Sequence, residues 1–151
     1  MIAAGRHIVR PARIEELGSI LSFVADACAA YNIDDDACFA LRLATEEVCA
    51  NVIKHGYPAA APGPLSVALR CSGDSIVITI EDAARPFDPA DAPPPDLTSG
   101  WRQRQAGGLG WHLVRQLMDD VRREPLTHIG NRYTLVKRIS PEHAQASNHD
   151  S

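Results

Sequence analysis

Lysine is scarce in this 151-residue sequence, which has only Lys54 and Lys137 among its fifteen basic residues. Nineteen acidic residues give a net charge of −4, and this balance lacks the basic surplus that a nucleic-acid-binding surface requires. No apolar run approaches the roughly 18 residues that a membrane-spanning helix needs. The first residues also lack the apolar stretch of a secretory signal. We therefore expect a soluble, cytoplasmic protein that binds neither nucleic acid nor membrane.

Cysteine motifs are also absent. Cys28, Cys38, Cys49 and Cys71 are 10, 11 and 22 residues apart, so no CxxC pair marks a zinc or redox site. A cytosolic chain of this length can bury a core without disulfides. We interpret the four cysteines as small apolar side chains of that core.

Hydrophobic periodicity and turn signals predict one α+β domain over residues 1–140 and a flexible polar tail over 141–151. The predicted elements are a strand at Ile8–Val9, helices over Ile14–Tyr31 and Asp34–His55, strands at Leu65–Cys71 and Ser75–Glu81, a helix after Gly110, and strands at Val121–Glu124 and Arg132–Ile139. Successive hairpin strands favour an antiparallel or mixed sheet with the helices gathered on one face, a two-layer sandwich.

The two N-terminal helices have apolar faces and end signals. The predicted buried residues are Ile14, Leu17, Leu21, Val24 and Cys28 in the first helix, and Leu41, Ala44, Val48 and Val52 in the second. Asn32 is expected to end the first helix, and Asp34 to cap the second. Gly56 stands where a helix C-cap favours positive φ.

Residues 83–106 show no periodicity and contain five prolines. A segment of this length exceeds ordinary connections, so it is expected to be a functional lid or a disordered segment.

Polar side chains lie along one sector of the second helix. Glu47, Asn51 and His55 are four residues apart, and Lys54 is seven residues from Glu47. A carboxylate, an amide, an ammonium and an imidazole on one stripe can hold a metal ion and phosphate. On this segment alone, a solvated helix face is the more common explanation of the same pattern.

Two further features carry possible chemistry. Asp82 follows an apolar strand, where a carboxylate can accept a hydrogen bond from an amine of a ligand or cap a turn. Gly107, Gly108 and Gly110 open a helix, which is the geometry of a phosphate cradle or of a flexible hinge. The sequence contains no GxxxxGK[ST] pattern, and its GxGxxG pattern is incomplete.

Taken in this order, the features resemble the GHKL (Bergerat-fold) ATP-binding superfamily over about Ile8 to Arg138. Within it, the sequence is most similar to the bacterial anti-sigma-factor serine/threonine kinases. The motifs that carry the resemblance are Glu47-x-x-x-Asn51-x-x-x-His55, Asp82-x-x-x-Pro86-Phe87-Asp88-Pro89, Gly107-Gly108-Leu109-Gly110-x-x-Leu113-Val114, and Asn131 to Arg138.

The resemblance implies that the site binds ATP with Mg²⁺. Glu47 would be the general base, and Asn51 would be the Mg²⁺ ligand. Asp82 would accept from the adenine amino group, and Thr134 would reach adenine through water. Lys54 would reach the phosphates. The other expected ATP-binding residues are Gly107, Gly108 and Gly110, which would wrap the phosphates, together with His55, Phe87, Leu109 and Trp111.

The resemblance also implies a protein kinase that phosphorylates Ser or Thr of a STAS-type anti-anti-sigma partner, alternately holds a sigma factor, and forms a homodimer. One alternative is a nucleotide-gated protein-binding module with little or no phosphotransfer. Another is that the glycines and the polar helix face are purely structural. The superfamily motif DxGxG reads Asp82-Ala83-Ala84-Arg85-Pro86 here, and alanine at a position needing positive φ costs on the order of 1 kcal/mol.

Overall fold

The elements follow the predicted order in the computed structural model, which describes residues 5–58, 60–85 and 109–139. They are β1 (Arg6–Pro11), a 3-10 turn (Ile14–Glu16), α1 (Leu17–Ala30), α2 (Asp35–Asn51), a π turn (Val52–Gly56), β2 (Pro64–Ser72), β3 (Ser75–Asp82), α3 (Leu109–Leu117), β4 (Asp120–Pro125) and β5 (Asn131–Arg138). The expected lid beyond residue 85 and the expected tail lie outside the described residues. None of the described helices is long and apolar enough to cross a bilayer.

The described strands form one antiparallel sheet in the order β1-β2-β3-β5-β4. α1 contacts β1 and β2, and α2 contacts α1, α3, β3 and β5, so the helices cover one face of the sheet. Because side chains alternate along a strand, every second residue meets the helices. Leu69, Ile78 and Leu135 are register neighbours across three strands and are fully buried. The predicted two-layer α+β sandwich is confirmed.

The core lies between that sheet face and the helices. Its largest fully buried side chains are Tyr133, Ile20, Leu41, Leu65, Leu69, Ile76, Ile78, Ile80, Leu135, Val24, Val48 and Val52. The predicted stripe of α2 is confirmed, since Leu41, Ala44, Val48 and Val52 are all inaccessible to solvent.

The connection between α1 and α2 is set by two polar residues. Asn32 adopts the left-handed conformation (φ 57°), and the Ile33 amide donates to the Cys28 carbonyl at 2.9 Å, which closes the end of α1. The Asp34 side chain then accepts from the Ala37 amide at 3.2 Å and caps α2. Both predicted end signals are confirmed.

The predicted buried face of α1 is partly wrong. Ile14 is 57% exposed, and Leu17 and Leu21 are half-buried, whereas Ile20 and Ala27 join Val24 and Cys28 in the core. The helix is apolar on two adjacent stripes, and the sequence alone does not show which of them meets the sheet. Ile14 and Leu17 line a cleft instead.

The predicted role of Gly56 as a C-cap is also wrong. Gly56 ends a π turn that continues α2, and the described residues with positive φ are Asn32, Gly73 and Gly130. A Cβ at Gly56 would lie 3.2 Å from the Ala84 Cβ and 3.3 Å from the Val52 Cγ1. Glycine therefore serves close packing here, because it brings the end of the helix against the chain that follows β3.

Gly130 joins β4 to β5 at the point where the chain passes closest to the end of β3. Its φ is 114°, and a Cβ there would overlap the Asp82 carbonyl oxygen. Gly73, in the turn between β2 and β3, also has positive φ (59°) but has nothing within 4 Å of its Cβ position. A side chain at Gly73 would therefore meet backbone strain alone, whereas a side chain at Gly130 would meet both backbone strain and steric overlap.

We expect Gly130→Ala to lower the free energy of unfolding by about 2–4 kcal/mol, and Gly73→Ala by about 1 kcal/mol, because only the first adds an overlap with backbone to the strain of positive φ. Urea unfolding followed by circular dichroism measures both. Gly18→Ala is the control, since this α1 glycine has open space at its Cβ and alanine there should stabilise by up to about 1 kcal/mol. Equal losses at residues 73 and 130 would contradict the overlap.

Candidate functional site

A cleft of about 590 Å³ opens between the start of α1, the C-terminal half of α2 and the first turns of α3. Its walls include Ile14 and Leu17 on one side, Glu47 and Lys54 at the base, and Gly110 and Leu113 on the other side. Ile14 of the 3-10 turn and Leu17 at the start of α1 therefore line the cleft, which explains their exposure. The cleft thus combines acidic and basic side chains with apolar walls.

Glu47 and Gly110 are in direct contact across this cleft. A Cβ added at Gly110 would overlap the Oε2 atom of Glu47. Gly110 lies in the first turn of α3, where backbone amides have no partner within the helix and the helix dipole is positive. Only glycine at residue 110 allows the carboxylate to approach this helix end so closely.

Partial burial raises the pKa of Glu47 above its ordinary value, and the neighbouring Glu46 carboxylate raises that pKa further, while Lys54 opposes the shift. A carboxylate with a raised pKa is a stronger base than one with the ordinary value. Glu47 thus combines cleft access with increased basicity.

The remaining polar residues of the helix are separated by the π turn. Asn51 is the last residue of α2 and is half-buried, whereas Lys54 and His55 are exposed on the π turn. The wider turn breaks the four-residue spacing that would align His55 with Glu47 and Asn51. Of these three partners of Glu47, the described lining of the cleft includes Lys54 alone.

Asp82 is buried at the end of β3, with 6% of its surface exposed. Its Oδ1 accepts from the Ala84 amide at 2.9 Å and from Asn131 Nδ2 at 3.0 Å. Ala84 is 3% exposed and does not adopt positive φ. Alanine in place of the superfamily glycine therefore introduces no left-handed strain, and its amide helps to orient the carboxylate.

Tyr57 connects the two strands beside Asp82. Its hydroxyl donates to the Pro64 carbonyl at 2.6 Å and accepts from the Ala83 amide at 2.6 Å. Burial raises the pKa of Tyr57, the Ala83 hydrogen bond lowers it, and the Asp82 charge raises it. The tyrosine is a structural brace that the sequence analysis missed, because its partners lie 7 and 26 residues away and only the sheet brings both of them to its hydroxyl.

The expected role of Thr134 is not supported by its position. Thr134 is the register partner of Thr79 and lies on the open face of the sheet, whereas Asp82 faces the helices. The register partner of Asp82 is Asn131, which sequence reasoning did not single out. The assignment differs because side chains of consecutive strand residues point to opposite faces.

Trp111 lies in the first turn of α3, and its side chain packs against Tyr133 of β5. It is 6% exposed and meets the Tyr133 ring edge-on at a centroid distance of 6.3 Å, and Arg115 lies over its ring at 5.8 Å. Phe87, Gly107 and Gly108 lie outside the described residues, and Leu109 is described for its backbone only.

The described residues form no group of three acidic, histidine or cysteine side chains that would cage a metal ion. The cysteines are free thiols, as expected. Burial raises the pKa of Cys49 to about 12. Burial and a contact with Cys38 also raise the pKa of Cys28 to about 12. These two thiols are therefore unreactive at neutral pH.

A model of the histidine kinase-like ATPase domain matches residues 10–137 of the sequence. The chain belongs to this family. The match spans every described element except parts of β1 and β5, so the cleft and the Asp82 network both lie within a histidine kinase-like ATPase domain.

Comparison with curated relatives identifies the branch of this family to which the chain belongs. The chain is 30% identical over 118 residues to the serine-protein kinase RsbW of Bacillus licheniformis, covering 74% of this chain and 72% of that protein. It is 28% identical over 107 residues to the serine/threonine-protein kinase BtrW of Bordetella bronchiseptica, covering 69% and 72%. The chain thus falls in the RsbW-type kinase branch of the histidine kinase-like ATPases.

Solved structures show the same fold. One is the crystal structure of the RsbU and RsbW domains of a Mycobacterium tuberculosis protein, with a TM-score of 0.65, 19% identity, and coverage of 91% of this chain and 33% of that chain. Another is the histidine kinase domain of a blue-light activated histidine kinase from Erythrobacter litoralis, with a TM-score of 0.54, 18% identity, and coverage of 83% and 63%.

We expect Glu47→Gln to raise the melting temperature at pH 7.5 slightly, because the carboxylate is partly exposed and solvent screens the effect of its ionisation. The raised pKa means that ionising Glu47 opposes folding, so the wild type loses stability as pH rises through that pKa. The difference should shrink towards zero as pH falls to the ordinary glutamate value of 4.5. Melting curves between pH 4 and 8 measure it, with Glu15→Gln, at an exposed glutamate, as control. A difference independent of pH would contradict the shift.

Proposed function

We propose that this RsbW-type ATPase domain is a Mg·ATP-dependent protein kinase that phosphorylates a serine or threonine of a STAS-type anti-anti-sigma protein. In the same proposal the protein alternately holds a sigma factor, acts as a homodimer and works in the cytoplasm. The observation that carries the proposal is the contact of the Glu47 carboxylate with Gly110 at the start of α3, within an open cleft.

Glu47 suits the role of general base. An acceptor hydroxyl entering the cleft would meet the carboxylate from the solvent side, since Glu47 lines the cleft wall. The proton of that hydroxyl would pass to Glu47, and the hydroxyl oxygen would form a bond to the γ-phosphorus as the bond to the β–γ bridging oxygen breaks. The raised pKa of Glu47 favours this proton transfer.

The first turn of α3 and the Lys54 side chain are suited to binding the phosphates. The first turn of α3 offers backbone amides and the positive end of a helix dipole beside Glu47. Lys54 lines the same cleft and adds a positive charge. Gly107 and Gly108 would extend this cradle, as the resemblance implies.

Asn51 fits a magnesium ion that is held mostly by the nucleotide. Mg²⁺ in such sites takes one or two protein oxygens and completes its shell with phosphate oxygens and water. The side-chain amide of Asn51, one helical turn from Glu47, supplies such an oxygen, and the described residues offer no larger cage. When bound, the ion neutralises charge on the phosphates.

Asp82 suits the recognition of adenine. The carboxylate is buried, and the hydrogen bonds that it accepts from the described residues go to Oδ1. Its Oδ2 can therefore accept from the exocyclic amine of the base. Asn131, the register partner of Asp82, donates to this carboxylate from the facing strand.

We expect Glu47→Gln to slow phosphate transfer from labelled Mg·ATP to the STAS partner by about 10²–10⁴-fold while nucleotide binding persists, because the amide cannot take the proton. Glu46→Gln is the matched control, since it removes the neighbouring carboxylate without removing the base, and it should lower the rate far less. Single-turnover transfer and fluorescent-nucleotide binding measure the two properties. Nucleotide binding by the wild type with no transfer to any partner would contradict the kinase and favour the nucleotide-gated binding module.

A further inference from the structure

We propose that Arg123 is a positioning residue for base selection, which acts through Asn131 on the base-reading carboxylate of Asp82. The inference rests on the proposed function, in that Asp82 contacts the base of a nucleoside triphosphate. It adds that an arginine of the sheet-edge strand determines how strongly the site prefers a purine with a 6-amino group over one with a 6-oxo group.

A chain of hydrogen bonds links the three residues. Arg123 Nη2 donates to Asn131 Oδ1 at 2.9 Å, and Asn131 Nδ2 donates to Asp82 Oδ1 at 3.0 Å. The same Nδ2 lies 3.3 Å from the Arg85 carbonyl. This series of hydrogen bonds thus runs from β4 through β5 to the end of β3.

The sheet register explains why Arg123 reaches this position. Arg123 is the register partner of Tyr133, and Asn131 is two residues away on the same face of β5. A long side chain reaches such a diagonal neighbour. The Nε atom of Arg123 is buried and has no hydrogen-bond partner among the described residues, although the residue as a whole is half-buried.

Arg123 and Asp82, at the two ends of this series of hydrogen bonds, select one orientation of the Asn131 amide. A guanidinium only donates hydrogen bonds, so it faces the amide oxygen, and an ionised carboxylate only accepts them, so it faces the amide nitrogen. With Asn131 held in this way, Asp82 Oδ1 receives two donors, from Asn131 and from Ala84. The plane of the carboxylate is thereby fixed, and Oδ2 is left to face a ligand.

Because Asn131 and Asp82 are buried, a wrong orientation of either side chain would be costly. Asn131 is 1% exposed and Asp82 is 6% exposed, so an oxygen facing an oxygen here would find no water to compensate for it. A 6-amino group donates to Oδ2, whereas a 6-oxo group presents a second acceptor. Sites built to hydrogen-bond a donor of the ligand reject analogues that lack it.

Arg132 provides a matched control. It lies on the open face of β5, where it pairs with Glu81 at 3.1 Å and with Glu124 at 3.6 Å. It is one residue from Asn131 in the chain, yet its ion pairs lie on the opposite face from Asp82. Arg132→Met removes the same charge from the same end of the sheet without touching the chain of hydrogen bonds.

The test measures dissociation constants of the full chain for Mg·ATP, Mg·ITP and inorganic tripolyphosphate by calorimetry. The expected result for Arg123→Met is a loss of ATP affinity of about 3–10-fold, the value of one hydrogen bond, with ITP and tripolyphosphate changed by less than about twofold. Arg132→Met should leave the ATP-to-ITP ratio unchanged. Arg123→Lys should give an intermediate ratio, because lysine keeps the charge but lacks the planar fork, and it carries the test if the methionine variant does not fold.

An Arg123 variant with the wild-type ATP-to-ITP ratio would overturn the inference, and so would equal losses for all three ligands, which mark a merely structural role. The proposed function is tested separately by Asp82→Asn. If the wild type prefers ATP and Asp82→Asn abolishes that preference, the base contact stands whatever the Arg123 variants do. A wild type that binds ATP and ITP equally would overturn the base contact and this inference together.

Discussion

The site depends on the close approach of α3 to Glu47. This approach requires glycine at residue 110, because any side chain there would overlap the carboxylate. It brings a carboxylate with a raised pKa to the first turn of a helix, where the dipole is positive and backbone amides have no partner within the helix. In the proposed kinase, this contact would make general-base catalysis and phosphate binding neighbouring functions, and Glu47 lines the cleft beside it.

The Asp82 network is built on short backbone distances at the end of the sheet. Gly130 lets the turn between β4 and β5 pass the Asp82 carbonyl, and Gly56 lets the π turn rest on Ala84. The Tyr57 hydroxyl braces the same corner through Pro64 and Ala83. Together these contacts enclose Asp82, so that its carboxylate is oriented by protein groups before any ligand binds, and binding then requires less reorganisation.

Much of the fold could be predicted because its signals are local. Asn32 and Asp34 mark a helix end and a helix start, and the stripe from Leu41 to Val52 marks the buried face of α2. The order of motifs also identified the family. The remaining errors depend on tertiary contacts. The apolar residues of α1 form two stripes, and only packing selects one. Thr134 and Asn131 both stand near the start of β5, and the strand register decides which of them shares a face with Asp82.

The most direct test of the Glu47–Gly110 contact is the phosphate-transfer rate of Gly110→Ala, measured beside its free energy of unfolding. Alanine suits a helix better than glycine by up to about 1 kcal/mol, and the overlapping atom is the end of a flexible side chain, so the variant should fold with unchanged or greater stability. Displacement of the base should nevertheless slow transfer by about 10-fold to 100-fold. Transfer at the wild-type rate by a normally folded Gly110→Ala would contradict the account.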